Sequence, residues 1–110
     1  MTDKIVVLCT CASPEEGENL ARALLAGRVA ACVSVVPGMR SFYHWKDGIE
    51  DSAECLLLIK SSRERFAELV AAIEKLHPYE VPEVLALPVL AASENYLHWL
   101  EASLAHGEQV

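Results

Sequence analysis

Three segments of this sequence are apolar at nearly every position, so strands built from them would have no polar face. The segments are Ile5–Cys9, Cys32–Val36 and Cys55–Ile59. A strand turns alternate side chains to opposite faces of its sheet, so a strand with one solvated face is polar at every second position. Because these segments are not, we expect both sheet faces to be covered, one of them by another copy of the chain.

The size and composition of the chain support the same expectation. With 110 residues, the chain has the length of one domain, and we expect residues 1–110 to form a single domain. Hydrophobic residues make up 53% of the sequence and aromatic residues only 6%, which predicts an aliphatic core. A domain of this size cannot bury so much apolar surface alone, and a subunit interface would cover the excess.

Charge and hydropathy exclude two classes of partner. The 16 acidic residues outnumber the 9 Lys and Arg residues, giving a net charge of −7, and the basic residues form no cluster that could bind the phosphates of a nucleic acid. No run of about 18 apolar residues is present, so we expect no membrane-spanning helix. The apolar run Ile5–Cys9 is also too short for a signal peptide. We therefore expect a cytoplasmic protein whose four cysteines are free thiols.

Capping signals predict three helices. Ser13–Glu16 is typical of a helix start with a capping box, and Gly27 is expected to end this helix in the left-handed conformation. A second helix is predicted to begin at Ser61–Glu64 and to end at His77-Pro78. A third is predicted to open at Ser93-Glu94.

Two long extended segments predict a hairpin. Val29–Trp45 and Ile49–Lys60 flank Asp47-Gly48, which is a strong signal for a two-residue turn. Pro37-Gly38 interrupts the first segment and indicates a bulge. At about 3.3 Å per residue, the two strands would reach roughly 40 Å, while a compact domain has a radius of gyration of about 13 Å. The hairpin should therefore bend sharply or lie on a neighbouring copy.

The order of elements predicts the fold class. A first strand at Ile5–Cys11 and a short strand at Val84–Val89 complete the order β-α-β-β-α-β, followed by a helix. This order is typical of the α+β ferredoxin-like fold, with a four-stranded antiparallel sheet and here an extra C-terminal helix. Both crossover helices would cover one face of the sheet, and the last helix is too short to cover the other.

Motifs spread from Val6 to about Leu104 carry a family resemblance. They are Val7-Leu8-Cys9-Thr10, Ala30-Ala31-Cys32-Val33, Pro37-Gly38, Ser41-Phe42-Tyr43-His44-Trp45, Leu58-Ile59-Lys60, His77-Pro78-Tyr79-Glu80-Val81-Pro82-Glu83 and Tyr96-Leu97-His98-Trp99-Leu100. In this order and spacing, the chain resembles the CutA family, the divalent-cation tolerance proteins. The resemblance implies a ferredoxin-like fold, a tight homotrimer and a role in tolerance of copper and other divalent metal ions.

The resemblance also implies a copper site. Copper-binding proposals in the family use the first-strand cysteine and two adjacent histidines before Pro-Tyr, which correspond here to Cys9, His77 and Leu76. Leu76 cannot bind a metal, so Cys9 and His77 are the two expected metal ligands. From the residues alone, Cys9 and Cys11 share one strand face, and thiolates with an imidazole suit Cu(I) or Zn.

Structural roles are the alternative for each of these residues. Cys9, Cys32 and Cys55 would then be small apolar residues in buried strands, where free cysteine is common. Cys11 stands at a strand end, where we expect it to lie nearer to solvent and to be the most reactive thiol. His77 would cap the second helix, with its imidazolium facing the negative end of the helix dipole.

Aromatic residues near the turn suggest a second function. Tyr43 and Trp45 alternate onto one strand face, where they could line a small-molecule pocket between subunits or grip the adjacent copy. Fold and assembly also resemble those of the PII signalling proteins, so a trimeric sensor or scaffold that binds a small molecule or partner protein at inter-subunit clefts is the alternative function. No phosphate-binding glycine loop, catalytic triad pattern or carboxylate pair is evident, so we expect no enzyme activity.

Overall fold

A computed structural model describes residues 1–105 of the chain. Its strands and helices follow the order that the sequence predicts. The order along the chain is β1 (Lys4–Cys11), α1 (Pro14–Ala26), β2 (Cys32–Trp45), β3 (Gly48–Ser62), a short 3-10 turn (Arg63–Arg65), α2 (Phe66–Leu76), β4 (Leu85–Pro88) and α3 (Glu94–Leu104). The four strands form one antiparallel sheet in the order β2-β3-β1-β4. This confirms the α+β fold class, the ferredoxin-like element order and the extra C-terminal helix.

Residues 106–110 lie outside the described residues. They form the last part of the predicted single domain 1–110, which stays a prediction over its whole length. Within residues 1–105, no helix is both long and apolar enough to cross a membrane.

The core lies between one face of the sheet and the helices α1 and α2. Odd-numbered residues of β1 and β3 point to this face and are almost fully buried, from Ile5 to Cys11 and from Cys55 to Ser61. Leu24 of α1 and Leu69 and Ile73 of α2 pack against them with no exposed surface. Aliphatic side chains and cysteine thiols fill this core, as the low aromatic content predicts.

The opposite face of the sheet is apolar over its middle, where no helix of residues 1–105 covers it, while α3 lies at the end of the sheet near Lys4. Its register pairs join Val6 to Leu87, Leu8 to both Leu58 and Leu85, and Val36 to Leu56. Leu85 keeps 56% of its surface exposed, Leu87 49% and Val36 42%. The strands are thus apolar on both faces, as predicted, and the single chain fully covers only one face.

Residues 39–54 form a two-stranded hairpin arm that extends beyond the sheet. The register between β2 and β3 shifts between Val36 and Met39, which confirms the bulge at Pro37-Gly38. β1 pairs only with the part of β3 from Cys55 onward, so the arm has no third strand. The arm accounts for the elongated shape of the chain, whose longest dimension is 50 Å. An isolated two-stranded ribbon is marginally stable in water, so this arm needs a surface to lie on.

Two sequence-based turn assignments are wrong by one residue. Gly27 adopts a right-handed conformation with φ −83°, and the left-handed residue after α1 is Arg28, with φ 59°. The hairpin loop consists of Lys46 and Asp47, because Gly48 already pairs with Trp45. Lys46 supplies the left-handed conformation in this loop, with φ 56°. In both places a basic residue adopts the conformation that glycine was expected to supply.

Candidate functional site

The end of β1 brings most of the predicted site residues into one region. Cys9, Thr10 and Cys11 form the last part of this strand, and the segment after α2 places His77 beside it. Leu76, the last residue of α2, is half exposed, whereas His77 is buried with 7% of its surface exposed. His77 therefore folds inward where the helix ends, and the adjacent proline prevents the helix from continuing.

Cys9 is completely buried on the core face of the sheet. Its thiol contacts the carbonyl oxygen of Thr10, with a sulfur–oxygen distance of 3.8 Å. Burial, together with the nearby Cys11, Glu83 and Glu54, raises the pKa of Cys9 to about 12. The thiol is thus protonated at neutral pH, and its surroundings favour the role of a small apolar residue over that of a thiolate.

Both ring nitrogens of His77 already have hydrogen-bond partners. The backbone N–H of Tyr79 donates to His77 Nδ1 at 3.1 Å, so Nδ1 carries no proton. His77 Nε2 then carries the proton and donates it to the Thr10 carbonyl oxygen at 2.7 Å. Through these two hydrogen bonds the ring ties the end of α2 to β1. The expected imidazolium cap on the helix dipole is therefore wrong, since no helix carbonyl accepts from the ring.

A tyrosine–carboxylate hydrogen bond extends this network to β3. The hydroxyl of Tyr79 donates to Glu54 Oε2 at 2.8 Å, and the rings of Tyr79 and His77 lie 4.6 Å apart. Burial and the hydrogen bond to Glu54 raise the pKa of Tyr79. Glu54 immediately precedes the part of β3 that pairs with β1, so the Tyr79 side chain lies where β1 ends. Sequence patterns do not pair these residues, because they are distant in the chain and no local signal links β3 to the segment after α2.

Cys11 is not the solvent-accessible thiol expected from its place at a strand end. Only 1% of its surface is exposed, because α1 begins directly above it and its thiol donates to the Ser13 carbonyl oxygen at 3.4 Å. Burial, followed by the influence of Cys55, raises its pKa to about 11. Cys11 nevertheless lines a surface pocket of about 190 Å³, together with Glu16, Asn19 and His77.

The predicted metal ligands Cys9 and His77 therefore lie near each other in the folded chain, but neither offers a free donor atom. His77 contacts the residue that follows Cys9, the Cys9 thiol is protonated, and both His77 nitrogens are occupied. Among residues 1–105, no group of three or more His, Cys, Asp or Glu side chains is arranged to hold a metal ion.

The aromatic residues of the arm lie away from this network. Tyr43 and Trp45 share one strand face with 43% and 58% of their surfaces exposed, and Phe42 on the other face is 70% exposed. Lys60 lies farther along β3 than Glu54, by about 20 Å of strand at roughly 3.3 Å per residue. The Lys60 ammonium lies 3.9 Å from Cys32 Sγ. Lys60, Glu54, Glu50 and Tyr79 are the polar residues that could line a pocket beside these aromatic side chains, and among them the structure shows a hydrogen bond between Glu54 and Tyr79.

Comparison with known proteins places this arrangement in a family. The family model described as CutA1 divalent ion tolerance protein matches residues 5–103. The chain belongs to the CutA1 family. A Divalent-cation tolerance protein CutA from Pectobacterium atrosepticum is 41% identical over 104 residues, covering 94% of this chain and 94% of that protein.

Solved CutA structures have the same fold. CutA from Xylella fastidiosa superposes with a TM-score of 0.92 at 33% identity, over 94% of this chain and 100% of that chain. The Periplasmic divalent cation tolerance protein CutA from Archaeoglobus fulgidus superposes with a TM-score of 0.90 at 30% identity, over 93% and 99% of the two chains. The CutA resemblance is thereby confirmed, and the chain belongs to a family named for divalent-cation tolerance.

Proposed function

We propose that this CutA1-family chain acts in divalent-cation tolerance as a homotrimer, that copper is the cation it binds, and that it catalyses no reaction. The observation that carries the proposal is the uncovered apolar sheet face in a chain whose family is named for cation tolerance. An exposed apolar face beside an unsupported arm favours a stable assembly over a free monomer. The number of subunits follows from the family resemblance.

The assembly is tested by the mass of the protein in solution. Light scattering during size-exclusion chromatography should give one species near three times the chain mass of 12.0 kDa. This species should persist on dilution, because its interface would be apolar. A monomer at micromolar concentration contradicts the homotrimer.

For copper, Cys9 and His77 are the proposed ligands, and their surroundings determine what binding would require. The Cys9 thiol would have to lose its proton despite a pKa of about 12. His77 would have to give up either the Tyr79 N–H or the Thr10 carbonyl. A soft ion such as Cu(I) suits a thiolate and an imidazole and could offset the first cost, because a metal competes with the proton for the thiolate.

Copper affinity in single-site variants tests this pair. Reduced protein is titrated with Cu(I) in competition with a chelator of known affinity, for the natural chain, Cys9→Ser and His77→Ala. Both substitutions should weaken binding at least tenfold. Cys32→Ser and His98→Ala are matched controls, because Cys32 lies on the opposite sheet face and His98 is exposed on α3. Equal affinity in all five proteins contradicts Cys9 and His77 as ligands.

The proposed compartment is the cytoplasm. The support is that all four cysteines are free thiols, which is usual in a reducing compartment. The relative from Archaeoglobus fulgidus is named as periplasmic, so the compartment has to be tested for this chain itself. Fractionation of source cells with an antibody should place the protein with cytoplasmic markers, and recovery with extracytoplasmic markers contradicts the proposal.

A second candidate function is a sensor or scaffold that binds a small molecule or a partner at inter-subunit clefts. The exposed Tyr43 and Trp45 side chains on one face of the arm favour it, since aromatic residues commonly line ligand sites and interfaces. A thermal-shift screen of metabolites tests this candidate, because a true ligand raises the melting temperature with its concentration. Binding that is lost in Trp45→Ala supports it, and the absence of any shift contradicts it.

A further inference from the structure

Two cysteines face each other across the last pair of residues that joins β1 to β3. Cys11 and Cys55 are register partners in the antiparallel ladder. Both side chains point to the core face, and their exposed fractions are only 1% and 3%. Both are free thiols in this structure. The CutA1 copper pair proposed above does not use either of them.

The backbone geometry of such a pair permits a disulfide. Directly opposed residues in antiparallel strands have Cα atoms about 4.5 or about 5.5 Å apart, depending on the hydrogen-bonding pattern. Disulfides span Cα separations of roughly 4.4–6.8 Å, so either value is compatible with a bond between the strands. The thiol of Cys11 now donates to the Ser13 carbonyl oxygen, and rotation about its Cα–Cβ bond would redirect it. The strands themselves need not move.

Space around Cys11 also permits this rotation. α1 passes directly over the strand at Gly17, where an added Cβ would lie 3.1 Å from Cys11 Sγ. Because Gly17 has no side chain, α1 does not crowd the Cys11 sulfur at this point. On the other side, Cys11 lines the pocket of about 190 Å³, which Glu16 and His77 also line. A small cation can therefore approach this thiol from the surface, attracted by the net negative charge of the chain.

The other two cysteines lack this arrangement. Cys9 is paired across the ladder with Leu57. Cys32 lies on the opposite sheet face, where it is paired with Lys60. Within the described part of the chain, Cys11 and Cys55 are thus the only cysteines that oppose each other in the sheet.

We propose that Cys11 and Cys55 form a redox-active pair that divalent copper oxidises to a disulfide. Each of two Cu²⁺ ions accepts one electron and becomes Cu⁺. Both S–H bonds break, the two protons pass to solvent, and one S–S bond forms. The pairing rests on the register of β1 and β3 alone, whereas the choice of copper as oxidant rests on the function proposed above. The pair would convert Cu²⁺ into the softer ion that thiolates and imidazoles prefer.

Peptide mapping after copper exposure tests the proposal. The reduced full-length protein is mixed with two equivalents of Cu²⁺ without oxygen, free thiols are blocked with N-ethylmaleimide in denaturant, and the digest is analysed by mass spectrometry. A Cu⁺-specific chromogenic chelator measures the reduced copper. We expect a peptide pair linked through Cys11 and Cys55, and two Cu⁺ ions for each disulfide formed.

Variants and a second oxidant make the outcome specific. Cys55→Ala and Cys11→Ala should each abolish the linked peptide and the associated Cu⁺, after circular dichroism has shown that they fold. Cys32→Ala is the matched control and should retain both. Disulfides that join other cysteines, or two chains, overturn the proposal. A Cys11–Cys55 pair that stays reduced with copper and also with the thiol oxidant diamide overturns the proposal as well. If the disulfide forms with diamide but not with copper, copper is not the oxidant. None of these results depends on the trimer or on Cu(I) binding at Cys9 and His77, so the two proposals can fail separately.

Discussion

At the scale of single residues, Gly17 shows how closely α1 approaches the sheet. A Cβ at this position would lie 3.1 Å from both Cys11 Sγ and Leu57 Cδ2, and 3.3 Å from Val35 Cγ1. These neighbours belong to three different strands and surround position 17, so an added methyl group would have to displace several side chains at once. The residue type at position 17 is therefore determined by tertiary packing, because helix propensity alone would favour alanine.

Gly17→Ala should destabilise the protein by about 1–3 kcal/mol, the usual cost of overpacking a core, in spite of the better helix propensity of alanine. Gly27→Ala is the matched control. Its nearest neighbour would be the Ala23 carbonyl oxygen at 3.6 Å, so we expect a change of less than about 1 kcal/mol. Urea unfolding followed by circular dichroism measures both. Equal stability of Gly17→Ala and the natural chain would show that α1 can shift away from the sheet.

The buried Cys9 thiol makes stability depend on alkaline pH. Its pKa is about 12 in the folded chain against an ordinary value of 9.0. Below about pH 9 the thiol is neutral in both states, and its contribution to stability is complete. Between pH 9 and pH 12 the unfolded chain releases the proton and the folded chain keeps it, so stability falls as pH rises, by at most about 1.4 kcal/mol per pH unit for this group.

Cys9→Ala should therefore flatten the decline of unfolding free energy above pH 9. Urea unfolding of the natural chain and the variant at pH 8 and at pH 10.5 measures the difference. Cys32→Ala, at a half-exposed position on the opposite sheet face, should decline as steeply as the natural chain. If the slopes for Cys9→Ala and the natural chain coincide, Cys9 ionises as easily in the folded chain as in the unfolded one.

At the scale of secondary-structure elements, cationic side chains hold α3 against the sheet. The buried Lys4 ammonium pairs with Asp3 and with Glu101 of α3. Burial opposes its charge, but the hydrogen bonds to Asp3 and Glu101 outweigh burial and raise the pKa of Lys4. Arg28 and Arg65 donate to the Ser103 and Leu104 carbonyls, where the negative end of the helix dipole lies.

Lys4→Ala should loosen α3 selectively. Loss of a charge-assisted hydrogen bond to Glu101 costs about 1.5 kcal/mol, which is slightly more than tenfold in an opening equilibrium. Hydrogen exchange should therefore become about tenfold faster for the α3 amides and change little for those of α1. Lys75→Ala, at an exposed position near the end of α2, is the control and should leave α3 unchanged. Uniform acceleration in all helices would mean that Lys4 stabilises the whole fold instead.

Most elements could be predicted from the sequence because local signals specify them. The predicted start of α2 at Ser61–Glu64 is wrong, because Ser61 and Ser62 continue β3 and α2 begins at Phe66 without a side-chain cap. Ser13 caps α1 by accepting from the Glu16 N–H, and Ser93 caps α3 by accepting from the Tyr96 N–H, as their patterns indicate. The left-handed positions at Arg28 and Lys46 could not be predicted, since closure of the surrounding turns selects them against the intrinsic preference of the residues.

The candidate site was less predictable for a related reason. Cys9 and His77 lie at the hydrogen-bond network of Thr10, His77, Tyr79 and Glu54. This network joins residues that are distant in the chain, so local patterns do not reveal it. The burial of Cys11 arises because α1 begins directly above it, which a strand pattern does not encode. Glu54 and Tyr79 meet only after β3 and the segment following α2 have both been placed. Residue types at the site are visible in the sequence, whereas the hydrogen bonds that occupy them require the fold.

At the scale of the whole molecule, the distribution of apolar surface determines the state of association. α1 and α2 cover one sheet face, and the hairpin arm extends where no other element of residues 1–105 reaches it. Leu87 lies on the uncovered face with about half of its surface exposed, at 49%. Leu90 follows β4 and is 73% exposed outside the sheet. In a single chain, both leucines should tolerate a charge equally well.

Leu87→Asp therefore distinguishes an assembly through the sheet face from a free monomer. Burying an unpaired carboxylate in an interface costs about 3 kcal/mol or more, so the variant should dissociate at concentrations at least a hundredfold higher than the natural chain. Leu90→Asp is the matched control and should keep the mass of the natural assembly. Light scattering across a dilution series measures both. A Leu87→Asp protein that assembles as tightly as the control would place the interface elsewhere, and the hairpin arm would then be the surface to test, because it is the other region that the single chain leaves unsupported.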